Sequence, residues 1–169
     1  SRGYGRRGNK PWICVTDGRE VQVSVRESGD EPMLMAQKLK KVPIYVVAKR
    51  YRVAQELLKR HVVDVLLMDD GFQHRGLKRD FDFLTFDVTS FQKKPRLLPL
   101  GRFREPLIHI NRSNCIVLTR TDHVDELSKE RIKHQLAMFH PNVPMVEANY
   151  RPQKLSHIVS KESAPLSEL

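Results

Sequence analysis

Apolar positions along the chain follow two spacings, and their alternation predicts strands that are separated by helices. Runs made up mostly of apolar residues, which are typical of strands buried in a parallel sheet, occupy residues 43–48, 62–68, 81–86, 115–119 and 144–148. In residues 52–61 and 124–139, apolar side chains recur three or four positions apart, which indicates amphipathic helices. Strands that alternate with helices predict an α/β fold with a mostly parallel sheet flanked by helices.

The first forty residues depart from this alternation. Residues 12–16 and 20–25 are predicted to be two strands, and Asp17-Gly18 between them favours a tight turn. We therefore expect a small β-hairpin excursion from the main sheet. A helix is predicted over residues 32–40, because acidic residues and a proline stand at its start.

The periodic pattern also predicts the domain organisation. Residues 1–150 carry the pattern and are predicted to form the core of one domain. Residues 151–169 diverge from it, and residues 160–169 have the composition of a frayed end. Two cysteines, Cys14 and Cys115, lie within apolar runs, which favours buried thiols in a reducing compartment over a disulfide framework.

Composition and charge indicate a globular protein that binds an anionic partner. The 169 residues are 40% hydrophobic and 30% charged, which is a globular balance, and no apolar run reaches the length of a membrane span. The formal net charge is +10, and residues 1–60 hold 14 basic against 6 acidic residues. This excess predicts an anionic partner, such as a nucleic acid, a phosphorylated ligand or an anionic membrane surface.

The segment Asp69-Asp-Gly-Phe-Gln-His-Arg75 carries the densest candidate chemistry. It follows an apolar run directly, and the carboxyl ends of parallel strands form the edge of a sheet at which ligands bind. Adjacent carboxylates repel each other, so a bound Mg²⁺ would relieve the pair Asp69 and Asp70. For the acidic pair by itself, a solvated strand end or a helix cap explains the residues about as well.

Three further segments have weaker functional interpretations. Asp30, within Gly29-Asp-Glu-Pro32, has the chemistry of a general base, although ordinary helix capping explains the acids better. Arg102 and Arg104 offer guanidinium groups for phosphate, or else form a solvated basic face. Residues 3–8 match G-x-G-x-x-G, but neither a preceding strand nor a following helix is predicted, so a basic loop is the simpler interpretation.

Together these segments resemble one known family, the tetraacyldisaccharide 4′-kinases, which are the lipid A 4′-kinases of Gram-negative bacteria. The resemblance covers about residues 1–150. It is carried, in order, by Ser1-Arg-Gly-Tyr4, Gly29-Asp-Glu-Pro32, Asp69-Asp-Gly-Phe-Gln-His-Arg75 and Leu98-Pro-Leu-Gly-Arg-Phe-Arg-Glu-Pro-Leu107. It implies a P-loop NTPase-like fold and transfer of the ATP γ-phosphate, with Mg²⁺, to the 4′-hydroxyl of a tetraacyldisaccharide 1-phosphate.

The resemblance also implies roles for individual residues. Asp30 resembles the catalytic base, and Asp69 and Asp70 resemble the acidic pair that serves Mg²⁺. Positions that resemble the substrate-binding residues of the family are Arg2, Tyr4, Glu31, Arg50, Gln73, His74, Arg104 and Glu105. The implied location is the cytoplasmic face of the bacterial inner membrane, with peripheral attachment or anchoring through an N-terminal segment.

The chain departs from the family pattern at both ends. The family has a G-x-x-x-x-G-K-[ST] phosphate loop before the Ser-Arg-Gly-Tyr motif, so the nucleotide-binding residues cannot be assigned within this chain, and we expect the isolated chain to be inactive. The family's later Asp-His motif has no match after Tyr150, and His157 lacks its context.

Two other functions compete with the kinase. The first is a non-catalytic basic module that binds nucleic acid or anionic lipid. Aromatic residues make up only 7% of the chain and form no stacking array, so nucleic acid is not expected as a partner. The second is a degenerate relative that keeps the lipid site without the chemistry.

Overall fold

The secondary structure groups into two units, Ser1–Lys78 and Arg79–Leu169. The computed structural model describes residues 11–47, 50–91, 96–156 and 163–166. The first unit contains β1 (Trp12–Thr16), α1 (Val25–Ser28), α2 (Asp30–Lys38), β2 (Ile44–Val47) and α3 (Arg50–Arg60). The second contains β3 (Phe83–Asp87), β4 (Cys115–Thr119), α4 (Glu126–Ala137), β5 (Met145–Ala148), β6 (Lys154–Ser156) and β7 (Ser163–Pro165).

In the first unit, β1 and β2 form an antiparallel ribbon with helices packed on both faces. Val46, with its neighbours on one face of the ribbon, packs against Ala36 of α2. On the opposite face, Val47 packs with Val53 and Leu57 of α3. Because Val53 and Leu57 are four positions apart, they lie on one side of the helix, as the periodicity predicts. Each strand therefore contributes side chains to two small apolar clusters.

The predicted partner of β1 is wrong. Residues 20–25 make only an isolated bridge from Thr16 to Val21, and β1 pairs instead with β2. Glu27 accounts for part of the difference, because its carboxylate accepts hydrogen bonds from the backbone N–H and the hydroxyl of Ser24. This capping interaction starts a helix where alternation predicts a strand.

The predicted strand at residues 62–68 is also wrong. These residues carry no strand assignment, and the chain bends at Asp64. Val62 is fully exposed and Leu67 is 87% exposed, whereas Val63 is half-buried against the cluster that contains Tyr45 and Val47. Apolar runs become stable strands only when neighbouring strands complete their backbone hydrogen bonds.

The second unit contains the predicted parallel sheet. Its strand order is β3-β4-β5, both pairs are parallel, and the α/β fold class is confirmed. In the central strand, Ile116 and Leu118 are fully shielded from solvent. They pack in one apolar cluster with Ile132 and Leu136 of α4. The sheet and α4 thus form the core of this unit.

Polar contacts fix the start of α4 and hold the helix against β5. The Asp125 carboxylate accepts hydrogen bonds from the backbone N–H and the hydroxyl of Ser128, which is the usual arrangement at a helix start. Toward β5, Lys133 Nζ lies 2.9 Å from an oxygen of Glu147, and Lys129 Nζ lies 3.5 Å from the other. These contacts join the polar side of α4 to β5.

Other predictions for the second unit have mixed outcomes. Residues 163–165, which belong to the predicted frayed end, form β7 and pair with β6 in antiparallel fashion. Cys14 and Cys115 are both free thiols, as predicted, with Cys115 buried and Cys14 half-buried. Among the helices that the structure describes, none is both long enough and apolar enough to cross a bilayer.

Candidate functional site

The acidic pair Asp69 and Asp70 lies in a tight turn at the end of the exposed apolar run. Both side chains are exposed, and Asp70 adopts the left-handed conformation, with φ of 45°. Aspartate tolerates this region better than most residues, yet it remains uncommon outside glycine and clusters at functional sites. The turn therefore presents two adjacent carboxylates to solvent at a defined point of the backbone.

Gly71 is buried and closes this turn against the preceding residues. A side-chain carbon at this position would lie 2.8 Å from the methyl carbon of Met68 and 3.1 Å from its carbonyl oxygen. The backbone N–H of His74 donates to the Gly71 carbonyl at 2.8 Å, so the chain turns again at once. The close approach of Met68 explains why this position suits glycine.

The polar residues of the motif extend from the same turn. Gln73 and His74 are half-buried, and the Nε2 atom of His74 is shielded from solvent. Asp69, Asp70, Gln73 and His74 thus lie in one short segment of successive turns, which combines carboxylates, an amide and an imidazole. These are the groups that bind metal-phosphate and polyhydroxyl ligands in proteins.

Asp30 and Glu31 stand at the start of α2, also in the first unit. Gly29 precedes them with φ of 91° and ψ of 162°, a combination that is essentially restricted to glycine. Both carboxylates are exposed and occupy the first turn of a nine-residue helix, whereas Pro32 is buried beneath them. Negatively charged side chains in the first turn of a helix interact favourably with the helix dipole. The catalytic role that the resemblance implies for Asp30 stays a prediction.

Arg104 and Glu105 belong to the second unit. Arg104 is exposed. Glu105 lies two residues before a 3₁₀ helix, Leu107–Arg112. Its carboxylate accepts hydrogen bonds from His109 Nδ1, at 2.7 Å, and from Arg112. The sequence predicts Glu105 as a substrate-binding residue, and the structure shows that its carboxylate also holds this helix in place.

Arg2 and Tyr4, together with the glycine-rich residues 3–8 and His157, lie outside the described residues. Arg50 is the first residue of α3, and its side chain also lies outside the described part of the structure. Their predicted roles therefore stay predictions.

A polar cluster that the sequence patterns do not predict lies at the carboxyl edge of the parallel sheet. Asp87 ends β3, and its carboxylate accepts hydrogen bonds from the backbone N–H and the hydroxyl of Thr89, at 3.0 and 2.7 Å. Arg120, just after β4, pairs with Asp87 at 3.2 Å and adopts the left-handed conformation with φ of 58°. Partial burial raises the pKa of Asp87, but the Thr89 and Arg120 contacts outweigh burial and lower it overall.

The same edge extends to β5. The hydroxyl of the buried Thr121 donates to Oδ1 of Asn149 at 3.1 Å, and the backbone N–H of Asp122 donates to the same oxygen at 3.3 Å. The sequence held a usable signal for this cluster, because Asp87 follows an apolar run just as Asp69 does. Ligands of open α/β sheets bind at this edge.

Comparison with known proteins identifies the family. The sequence model of the family described as "LpxK: Tetraacyldisaccharide-1-P 4'-kinase" matches residues 1–169. The chain belongs to the tetraacyldisaccharide 4′-kinase family. It is 37% identical over 172 residues to the tetraacyldisaccharide 4′-kinase of Elusimicrobium minutum. This match covers 100% of this chain and 46% of the Elusimicrobium protein. The corresponding enzyme of Halothermothrix orenii is 36% identical over 88% of this chain and 39% of its own length.

A solved LpxK structure supports both the family and the fold. The crystal structure of LpxK from Aquifex aeolicus in complex with ATP has a TM-score of 0.72 and 30% sequence identity. The match covers 99% of this chain and 49% of the Aquifex chain. The P-loop NTPase-like architecture is therefore confirmed. The chain spans about half the length of the family members that it matches.

Proposed function

We propose that this protein is an ATP-dependent lipid kinase, which transfers the γ-phosphoryl group to the 4′-hydroxyl of a tetraacyldisaccharide 1-phosphate. The relatives are named tetraacyldisaccharide 4′-kinases, and the Aquifex LpxK structure contains ATP. The observation that carries the proposal is the Asp69–Arg75 turn, a compact set of groups suited to phosphate chemistry within a family match that spans the chain. Family membership also favours the kinase over a basic binding module.

Phosphoryl transfer depends mainly on positioning and on neutralising phosphate charge. Asp30 is proposed as the general base that accepts the proton of the attacking hydroxyl. Its exposure at the start of α2 suits this role, because an incoming hydroxyl must reach the carboxylate directly. The substrate is proposed to contact Arg2, Tyr4, Glu31, Arg50, Gln73, His74, Arg104 and Glu105.

The Asp69–Asp70 pair fits Mg²⁺ bound together with a nucleotide. Mg²⁺ takes oxygen ligands and in kinases needs only one or two protein carboxylates, because phosphate oxygens and water complete its shell. Both carboxylates are exposed in the turn, which suits this mode of binding. Bound Mg²⁺ would supply charge neutralisation on the phosphates.

Membrane association is part of the proposal. A tetraacylated substrate resides in a bilayer, and a chain with formal net charge +10 is attracted to an anionic lipid surface. We therefore place the protein peripherally at the cytoplasmic face of the inner membrane, where ATP is present.

Replacement of Asp30 tests the catalytic proposal. In the protein translated from the complete gene, Asp30→Asn should lower kcat for transfer from ATP to the disaccharide lipid by about 10²–10⁴-fold, since a lost general base costs that much. The KM values should change little. Glu20→Gln, which alters another exposed acid of the first unit, is the matched control and should retain activity. Wild-type turnover by the Asp30→Asn variant would show that Asp30 is not the base.

A further inference from the structure

The segment 96–104, here named the leucine loop, exposes apolar side chains in the second unit. Leu98 is 62% exposed and Leu100 is 79% exposed, and Leu97 beside them is 45% exposed. Three neighbouring leucines with this much solvent contact form a small apolar surface at the tip of a loop. Surfaces of this kind mark sites of contact with a protein or a membrane.

The loop has a defined backbone conformation. The Leu98 N–H donates to the Phe103 carbonyl at 2.9 Å, and the Phe103 N–H donates to the Arg96 carbonyl at 3.1 Å. A Cβ at Gly101 would overlap the Arg96 carbonyl oxygen, so the two arms of the loop approach closely only because this residue is glycine. The leucines are therefore held outward by the loop's own hydrogen bonds.

An aromatic cluster anchors the base of the loop. The Phe103 ring lies 5.7 Å from that of Phe86 and 6.2 Å from that of Phe91, measured between centroids. Phe103 packs against the apolar cluster of the second unit, in which Phe86 is buried. One apolar side chain of the loop thus enters the core, while the leucines at its tip remain outside.

Positive charge flanks the apolar tip on both sides. Arg96 precedes the leucines, Arg102 and Arg104 follow them, and all three are exposed. The nearest acid in sequence, Glu105, accepts hydrogen bonds from His109 and Arg112. Leucines at the tip with arginines at their base suit a surface whose polar layer is anionic and whose interior is apolar.

We propose that the leucine loop inserts Leu98 and Leu100 into the boundary between headgroups and acyl chains of a bilayer, while Arg96 and Arg102 contact anionic phospholipid headgroups. A lipid bilayer fits better than a nucleic acid, because nucleic acid offers phosphates but no apolar layer to cover leucines. The inference rests on the proposed membrane association and not on phosphoryl transfer. It assigns the contact to a specific loop.

The first test measures sedimentation of the chain with vesicles of phosphatidylcholine and phosphatidylglycerol, and with phosphatidylcholine alone. The double variant Leu98→Ser/Leu100→Ser should bind anionic vesicles at least tenfold more weakly than wild type, because burial of two leucines is lost. Arg102→Gln should lower binding about fivefold on anionic vesicles only. Leu127→Ser and Arg131→Gln, which alter exposed residues of α4, are matched controls and should bind as wild type does.

A second variant gives a positive signal on binding, so its result does not depend on a loss that misfolding could also cause. Tryptophan introduced by Leu100→Trp should shift its emission to shorter wavelength with vesicles and be quenched by brominated acyl chains, above the background from Trp12 that wild type gives. Vesicle binding by the double variant at wild-type strength would overturn the loop assignment and leave membrane association standing. If the wild-type chain binds no vesicles, both the loop assignment and the membrane association are wrong. If the loop variants lose binding to duplex DNA but keep their binding to vesicles, the loop assignment is wrong and the loop contacts nucleic acid instead. Phosphoryl transfer to detergent-dispersed substrate is measured separately.

Discussion

Two apolar runs in this chain are alike in sequence and differ in structure. Residues 115–119 form β4, which lies between β3 and β5, and Leu118 within it is completely buried. Residues 62–68 form no strand, and Leu67 is 87% exposed. Each run leads to a non-glycine residue in the left-handed conformation, Arg120 in one case and Asp70 in the other. Composition and the turn that follows therefore do not explain the difference.

The difference lies in the partners that each run has. β4 exchanges backbone hydrogen bonds with strands on both sides, and α4 covers its apolar side chains. Among the described residues, no strand pairs with residues 62–68, and only Val63 and Met68 are half-buried there. An apolar run shows that a segment is suited to a sheet interior, but its burial requires strands that lie elsewhere in the sequence.

The largest expected effect tests this contrast directly. Leu118→Ala should lower the free energy of unfolding by about 2–5 kcal/mol, because it leaves a cavity in the core. Leu67→Ala should change it by less than about 0.5 kcal/mol, since the side chain is mostly in solvent. Urea unfolding followed by circular dichroism provides the measurement. Similar losses in the two variants would mean that residues 62–68 are packed, and the contrast would fail.

Prediction from the sequence succeeds and fails along the same division. The apolar pattern predicts β4 at its observed bounds and α4 to within two residues, because the spacing of apolar side chains within a segment is a local property. The strand predicted at residues 62–68 is absent because no described strand pairs with it, and the apolar pattern of a segment does not show whether such a partner exists. β1 was paired wrongly because the Ser24 and Glu27 side chains favour a helix over the strand that alternation suggests.

The candidate site could be predicted only in part. The sequence identifies the Asp69–Arg75 motif as a unit, since its residues are contiguous. It gives no indication that Asp70 adopts a left-handed conformation or that Gly71 packs closely against Met68, because both are features of the folded chain. Asp87 was overlooked although it follows an apolar run, because its interest depends on Arg120, 33 positions later, which the fold brings within 3.2 Å.

A smaller effect tests whether the turn after the exposed run is itself packed. Gly71→Ala should lower the free energy of unfolding by about 1–2 kcal/mol, because the new methyl group displaces Met68. Gly76→Ala is the matched control, since no atom lies within 4 Å of the added carbon, and it should be nearly neutral. The intrinsic fluorescence of Trp12, in the same unit, reports unfolding in urea. Equal stability of both variants would indicate that residues 62–75 are loosely held throughout, which would widen the contrast with β4.

The smallest expected effect concerns the polar edge of the well-packed sheet. The pKa of Asp87 lies below the ordinary value of 3.8, so its ionised form stabilises the fold above that pH, and the contribution is lost as pH falls through the lowered pKa. Asp87→Asn should therefore cost about 0.5–1 kcal/mol at neutral pH, and the difference from wild type should shrink as pH falls below 3.8. Thr89→Val, which removes the hydroxyl donor at 2.7 Å, should show a weaker form of the same trend in urea unfolding. A cost that stays constant with pH would mean that the Asp87 charge does not stabilise this edge, and that the order of the second unit comes from its apolar core alone.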